Sequence, residues 1–369
     1  MKAIQWIISA LVAVVIIAAA VGGGVYFTRL KSIHSIRKLT DYENYNLYRM
    51  DIDYAYDLDR LIDRGITDNQ SMINAILAEA LPYLPIHMKA PNFGCSAFCT
   101  QGTDGHTLMG RNYDFKNDTS AMLVYCTPKD GYASVAFAAL DNINANTPDA
   151  SMAKKLATLT APFICLDGMN EKGVSIAVLT LDSDPTYQQT GKSMIATTLA
   201  IRLVLDRAAT TAEAVELLSK YDMFASSGRD YHFYITDASG DGRVLEYDCN
   251  DPARPPTGSP SRSVTNFFFM YKDNVLPNQR NGVYGHGRER YDAIEEILDA
   301  NAGSIDREIA WQALQAASQA PNPKDVTSNT QWSILYDNTA LTAEAVIRRD
   351  WNTKTSYNLV SNVAVTDVG

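Results

Sequence analysis

After residue 94 the sequence is patterned in blocks: strands first, then helices, then strands again, with no strand–helix alternation. Alternation is what builds a parallel sheet, because parallel neighbours need a long, usually helical, crossover between them. A chain written in blocks must instead pair its strands largely antiparallel and lay its helices on the outer faces of the sheets. Short runs at 95–101, 107–112, 121–127 and 134–140 are separated by turn signals such as Thr103-Asp104-Gly105 and Lys129-Asp130-Gly131, and they predict strands. Residues 173–181 predict another. Helices are expected at 193–208 and 212–221, the second opened by Thr210 and Glu213 at capping-box spacing. Strands at 230–236 and 243–247 flank the turn Ser239-Gly240-Asp241-Gly242. Helices at 288–300 and 305–317, then strands near 332–336, 343–348 and 357–360, close the pattern.

The segment before residue 95 divides in two. Ile4 to Phe27 carries no charged side chain. That run is about 24 residues long, and roughly 20 helical residues cross a bilayer core. Lys2 precedes it; Arg29, Lys31, Arg37 and Lys38 follow. Residues 1–30 therefore read as an uncleaved signal anchor or as a signal peptide, with Ala18-Ala19-Ala20 as a cleavage site in the second case. The basic flank would keep the body in the cytoplasm. A leader so close to the start more often exports it, and the expectation is a membrane-anchored or secreted, extracytoplasmic protein. Residues 31–94 begin polar and rich in Tyr and Asp. A helix is expected at 68–81, with Ile73, Ile76, Leu77 and Leu81 on one face, before Pro82, Pro85 and Pro91 break the chain. This zone is expected to be a propeptide or a retained N-terminal segment, and 95–369 the body.

Composition excludes several classes of function. A formal net charge of −10 and no long Lys/Arg run argue against nucleic acid as a partner. The five cysteines are an odd number in a long chain, which is not a disulfide framework, and no Cys/His cluster has zinc spacing. The five histidines are scattered (His34, His87, His106, His232, His286), so no metal site and no cofactor are expected.

The chemistry-bearing stretch runs from Cys95 to Asp114. A strand, a Gly turn and a returning strand would bring Gly110-Arg111-Asn112-Tyr113-Asp114 back beside Cys95, with Arg111 and Asp114 next to each other at the strand end. A cation near a thiol favours the thiolate, the reactive form. A carboxylate nearby can orient an amine. On residue types alone, a structural hairpin with a buried free Cys remains the competing reading.

This stretch resembles the start of the mature choloylglycine hydrolase family, which includes bile salt hydrolases, penicillin V acylases and, more distantly, acid ceramidase and N-acylethanolamine acid amidase. Arg111 and Asp114 stand sixteen and nineteen positions after Cys95, matching that family's spacing. Further motifs resemble it in order. They are Asp167-Gly168-Met169-Asn170-Glu171-Lys172-Gly173 (a turn), Tyr231–Glu246 (strand–turn–strand ending in Glu), Thr265-Asn266, Gly287-Arg288-Glu289-Arg290 and Thr330–Asp337. The resemblance spans roughly 95–365. It implies an α+β fold, the four-layer αββα N-terminal-nucleophile hydrolase sandwich with antiparallel sheets. It implies Cys95 as thiolate nucleophile with its own freed α-amine as base, and Arg111 close to the sulfur. Asp114 would hold the amine, with Asn266 and the backbone N–H of Thr180 as the oxyanion hole and Arg288 completing the polar site. Position 180 is often Asn or Tyr in the family, and the Arg288 register could slip to Arg290. Cys99 and Phe267-Phe268-Phe269 are expected to pack.

As encoded Cys95 has no free amine, so the mechanism requires scission at Gly94–Cys95. The implied activity is hydrolysis of a linear carbon–nitrogen amide bond in a small N-acyl substrate, of conjugated bile salt, penicillin V or N-acyl amide type. Two alternatives stand beside it: acyl transfer to another amine through the same thioester, and an uncleaved membrane-anchored binding protein. The expected partners are that small molecule and a membrane through residues 4–27; a homo-oligomer is compatible with the sequence.

Overall fold

The computed structural model describes residues 23–82, 94–115, 118–280, 282–322 and 329–368. The apolar run Ile4–Phe27 lies almost wholly outside these. Among the described residues no helix is long and apolar enough to cross a membrane.

Residues 23–34 are helical (α1) and lead to strands β1 (Arg37–Lys38) and β2 (Leu47–Ile52), then helices α2 (Leu58–Asp63) and α3 (Asn69–Ala80). Strands β3 (Gly94–Gln101), β4 (Thr107–Asp114), β5 (Ala121–Cys126) and β6 (Ser134–Ala139) follow, then the short helix α4 (Met152–Ala157). Next come β7 (Cys165–Asn170), β8 (Ser175–Leu181), β9 (Met194–Ala196), α5 (Thr197–Arg207) and α6 (Thr211–Leu218). After them stand β10 (Asp222–Phe224), β11 (Asp230–Thr236), β12 (Gly242–Tyr247), β13 (Pro256–Pro260) and β14 (Ser263–Val264). Helices α7 (Arg288–Ala300) and α8 (Arg307–Ala317) precede β15 (Thr330–Asp337), β16 (Thr342–Ile347), β17 (Thr353–Asn358) and β18 (Val363–Val368).

The strands form two large sheets. One has nine strands in the order β1-β2-β5-β6-β7-β8-β11-β12-β13, the other seven in the order β14-β3-β4-β15-β16-β17-β18. Pairing is antiparallel apart from β2 with β5 and the small β9–β10 pair, as the block pattern requires. The pleat sorts side chains into layers. From β3, Cys95, Ala97 and Cys99 enter the large core that joins the two sheets, whereas Phe98 enters a second core with Ile294, Leu298, Trp311 and Leu314 of α7 and α8. Helices α5 and α6 cover the other face of the nine-stranded sheet, through Leu199, Leu203, Ala214 and Leu218. The result is four layers, helix–sheet–sheet–helix, as the resemblance implies.

Several elements differ from their sequence reading. The predicted helix 193–208 gives its first residues to β9, because Met194–Ala196 pair with β10 before α5 starts. Asp167–Asn170 are not a turn but the end of β7, and only residues 171–173 turn. The polar zone after residue 30 supplies β2, an inner strand of the sheet, because Leu47, Met50 and Ile52 bury fully there against β5. The predicted helix at 68–81 is α3, capped reciprocally by Asp68 and Ser71. Its last carbonyls, on Glu79 and Ala80, accept hydrogen bonds from Arg29 of α1 at 2.6 and 2.7 Å.

Candidate active site

Cys95 begins the β3–β4 hairpin. The register sets Cys95 opposite Tyr113, Ala97 opposite Arg111 and Gly94 opposite Asp114. Arg111 therefore lies diagonally beside Cys95 on the face turned to the nine-stranded sheet. Asp114, of opposite parity, faces the helical layer. The two charges flank Cys95 from either side of the strand and are not neighbours, which corrects the sequence reading. Gly110 permits the hairpin: a Cβ there would come 2.3 Å from the Phe98 ring that packs under the helices.

Arg111 is fully buried, and Nε donates to Asp167 Oδ2 at 3.2 Å. Asp167 also accepts from Trp332 Nε1 at 3.3 Å and Tyr336 OH at 2.6 Å. Three donors converge on one carboxylate, which fixes the guanidinium beside the sulfur. Burial pushes the Cys95 thiol up to about 11, and Arg111 pulls against that rise. Asp167 is likewise raised by burial and drawn back by Arg111.

Asp114 accepts from Thr330 Oγ1 at 2.6 Å and Gln319 Nε2 at 2.7 Å, and Arg290 Nη1 stands 3.4 Å away. Thr330 reaches it at an irregularity in the β4–β15 register between Thr330 and Trp332. Burial raises the Asp114 carboxyl, and Arg290 is the strongest influence opposing it.

Asn266 joins these groups. Its Oδ1 accepts from the Cys95 backbone N–H at 2.9 Å and from Arg290 Nη2 at 2.8 Å; its Nδ2 donates to the Thr180 carbonyl at 2.9 Å. Thr180 thus reaches the site, and its buried hydroxyl has no hydrogen-bond partner among the described residues. Arg290 comes from the first turn of α7, one turn above Gly287. That residue has φ +87°, and a Cβ on it would lie 2.3 Å from Arg290 Nη2. Arg288 does not reach the site. It pairs with Asp292 at 2.7 Å and donates to the Lys272 carbonyl, with 25% of its side chain exposed against 6% for Arg290. A helix turns about 100° per residue, so two positions along α7 the side chain points away. The register therefore falls on Arg290.

Cys95, Arg111, Asp114, Thr180 and Asn266 are brought together as expected; Arg288 is not. The reading from sequence missed Asp167, Thr330 and Gln319. Asp167 carried a signal, an acidic residue at the head of a recognised motif, but its position in a strand hid its partner. Cys99 packs, with Thr236 Oγ1 donating to its sulfur at 3.1 Å, and the five thiols are free. Among the described residues no cluster of His, Cys, Asp and Glu could hold a metal ion. The arrangement can do three things chemically. It sets a cation beside a buried thiol, it holds the Cys95 main-chain nitrogen on an amide oxygen, and it keeps a buried carboxylate and guanidinium within reach of the same residue.

Residues 95–251 match the family model described as linear amide C–N hydrolases, choloylglycine hydrolase family. Among solved structures, the chain is similar to a variant of conjugated bile acid hydrolase from Clostridium perfringens at 16% identity and TM-score 0.54, covering 74% of this chain and 97% of that one. It is similar to penicillin V acylase from Agrobacterium tumefaciens at 17% identity and TM-score 0.51, covering 71% of this chain and 85% of that one. At these identities the likeness is one of fold.

Proposed function

Since residues 95–251 match the choloylglycine hydrolase family of linear amide C–N hydrolases, we propose that the chain hydrolyses a small N-acyl amide through a thioester on Cys95, after scission of the Gly94–Cys95 bond. The observation that carries this reading is the convergence on one residue: Arg111 acts on the Cys95 sulfur, while Asn266 and Arg290 hold its nitrogen and carbonyl.

Scission turns the Cys95 amide nitrogen into an amine, the base that would take the thiol proton. The thiolate adds to the substrate carbonyl, the amine leaves, and water hydrolyses the thioester. Arg111, held by Asp167, favours the thiolate that burial disfavours. The second N–H of the Asn266 amide, whose first goes to the Thr180 carbonyl, and the Thr180 backbone N–H would be the donors to an oxyanion, and Asp114 with Arg290 fixes the main chain at the nucleophile. The substrate class is an N-acyl compound with an apolar acyl part; a conjugated bile salt, penicillin V and an N-acyl amide are the probes to use.

We read residues 31–94 as a segment retained after scission, because β2 is an inner strand. Residues 1–30 would then tether the mature protein to a membrane without a covalent link. On this reading the body is extracytoplasmic. The test is intact mass of the purified chain. A species beginning at Cys95, with amine released from an N-acyl panel, supports the reading. A single uncut chain whose Cys95 stays unlabelled by iodoacetamide would sink it.

A further inference from the structure

His232 lies within β11 and Glu246 within the neighbouring β12, both fully buried. The His232 ring stands between two oxygens: Nδ1 is 3.1 Å from Glu246 Oε1, and Nε2 is 2.9 Å from the carbonyl oxygen of Thr265. A main-chain carbonyl can only accept, so Nε2 carries a hydrogen. The Glu246 carboxyl already accepts two backbone N–H groups, Phe269 on Oε1 at 2.6 Å and Met270 on Oε2 at 2.9 Å. The Nδ1 side of the ring and these two N–H groups thus gather on one carboxyl. The other acidic groups close by in sequence are committed elsewhere, Asp230 to Arg254 and Asp248 to the Tyr271 hydroxyl.

We propose that His232 and Glu246 form a buried hydrogen-bonded pair that positions Asn266 against Cys95. The pair grips the 265–270 segment at both ends: His232 holds the Thr265 carbonyl, and Glu246 holds the amides of Phe269 and Met270. Asn266 lies between, and its side chain takes the Cys95 N–H and the Thr180 carbonyl. Thr265 also donates from its hydroxyl to the Gly287 carbonyl at 2.9 Å, tying the same segment to the start of the helix that carries Arg290. His232 and Glu246 are thus positioning residues. Their effect on turnover rests on the amide-hydrolase reading above; their hydrogen bonds do not.

Imidazole nitrogen NMR of the full chain labelled with nitrogen-15 histidine tests the pair. One ring, whose signals vanish in His232→Gln, should show a slowly exchanging Nε2–H, and its Nδ1 resonance should shift in Glu246→Gln. A His232 Nδ1 resonance that is unmoved in Glu246→Gln would overturn the pair. With an N-acyl anilide as probe, Glu246→Gln should lower kcat about 10- to 100-fold with KM little changed, as expected of a small misplacement. Its Cys95 should still react with iodoacetamide at the unsubstituted rate. A change confined to KM would refute positioning. If the unsubstituted protein turns over no amide, the hydrolase reading fails, and the ring spectrum still decides the pair.

Discussion

Arg290 donates from Nη1 to the main-chain carbonyl oxygen of Cys95 at 2.8 Å. The same guanidinium holds Asn266 Oδ1 through Nη2, so one side chain fixes both the candidate nucleophile and the amide beside it. Arg288, two residues earlier, serves Asp292 at the surface. The expected outcome is asymmetric: Arg290→Met lowers kcat for an N-acyl amide by about 10²-fold or more, the scale for one lost oxyanion-type donor, while Arg288→Met leaves it within about threefold. Steady-state kinetics on both variants check this, and equal losses would return the role to Arg288.

The thiol gives a pH prediction. Burial raises Cys95 to about 11 in the uncut chain, so the folded state holds its proton through neutral pH. Only the thiolate alkylates, and its fraction rises tenfold per pH unit below that value. Alkylation of Cys95 by iodoacetamide in the uncut chain should therefore climb steadily from pH 7 to 10 without levelling. The sign also bears on stability. A thiol whose folded value is raised contributes stability at lower pH and loses it as pH rises from its ordinary value of 9 towards 11. A plateau in labelling near pH 8 would contradict the burial argument.

Asp167 is buried with Arg111 and gathers three donors. Removing the carboxylate leaves a buried guanidinium without its counter-charge, a loss of about 3–5 kcal/mol. Urea unfolding of Asp167→Ala should show that drop, and also a loss of turnover, because Arg111 is no longer aimed at the sulfur. A drop under about 1 kcal/mol would mean that Arg111 finds another partner.

Gly110 has a packing role that its place in a motif conceals. Gly110→Ala should cost about 1–3 kcal/mol by overpacking against Phe98. Combining it with Phe98→Leu should recover part of that loss. A double-mutant cycle in chemical denaturant measures the coupling, and strict additivity would show that the two do not touch.

Retention of the N-terminal segment can be checked after scission. Leu47 and Met50 are fully buried in β2, and Arg29 ties α1 to the end of α3. Native gel filtration of the cut protein should carry the small fragment with the body, and Met50→Asp should release it. A fragment that separates from the unsubstituted protein would make 31–94 a discarded propeptide.

The sequence by itself determined a good deal. Block order dictated largely antiparallel sheets flanked by helices, since consecutive strands joined by short turns cannot pair parallel; only β2 with β5 and β9 with β10, separated by longer stretches of chain, do so among the described residues. The spacing from Cys95 to Arg111 and Asp114 is fixed by a two-stranded hairpin, whose geometry is local. What the sequence could not supply was anything set by the pleat across long separations. Period-two alternation put Arg111 and Asp114 on opposite faces of one strand, and only the packed layers showed that Asp167 waits on one side and Gln319, Thr330 and Arg290 on the other. The choice of Arg290 over Arg288 depended on helix phase and on the space left by Gly287. The place of β2 in the sheet depended on which apolar residues found an open edge beside β5. His232 and Glu246 lie in a hairpin that the sequence marked, but their hold on Thr265, Phe269 and Met270 arises because the segment after β14 meets that hairpin only in the folded chain. Contacts made within a few residues are written in order along the sequence; contacts between distant strands are decided by which faces bury together.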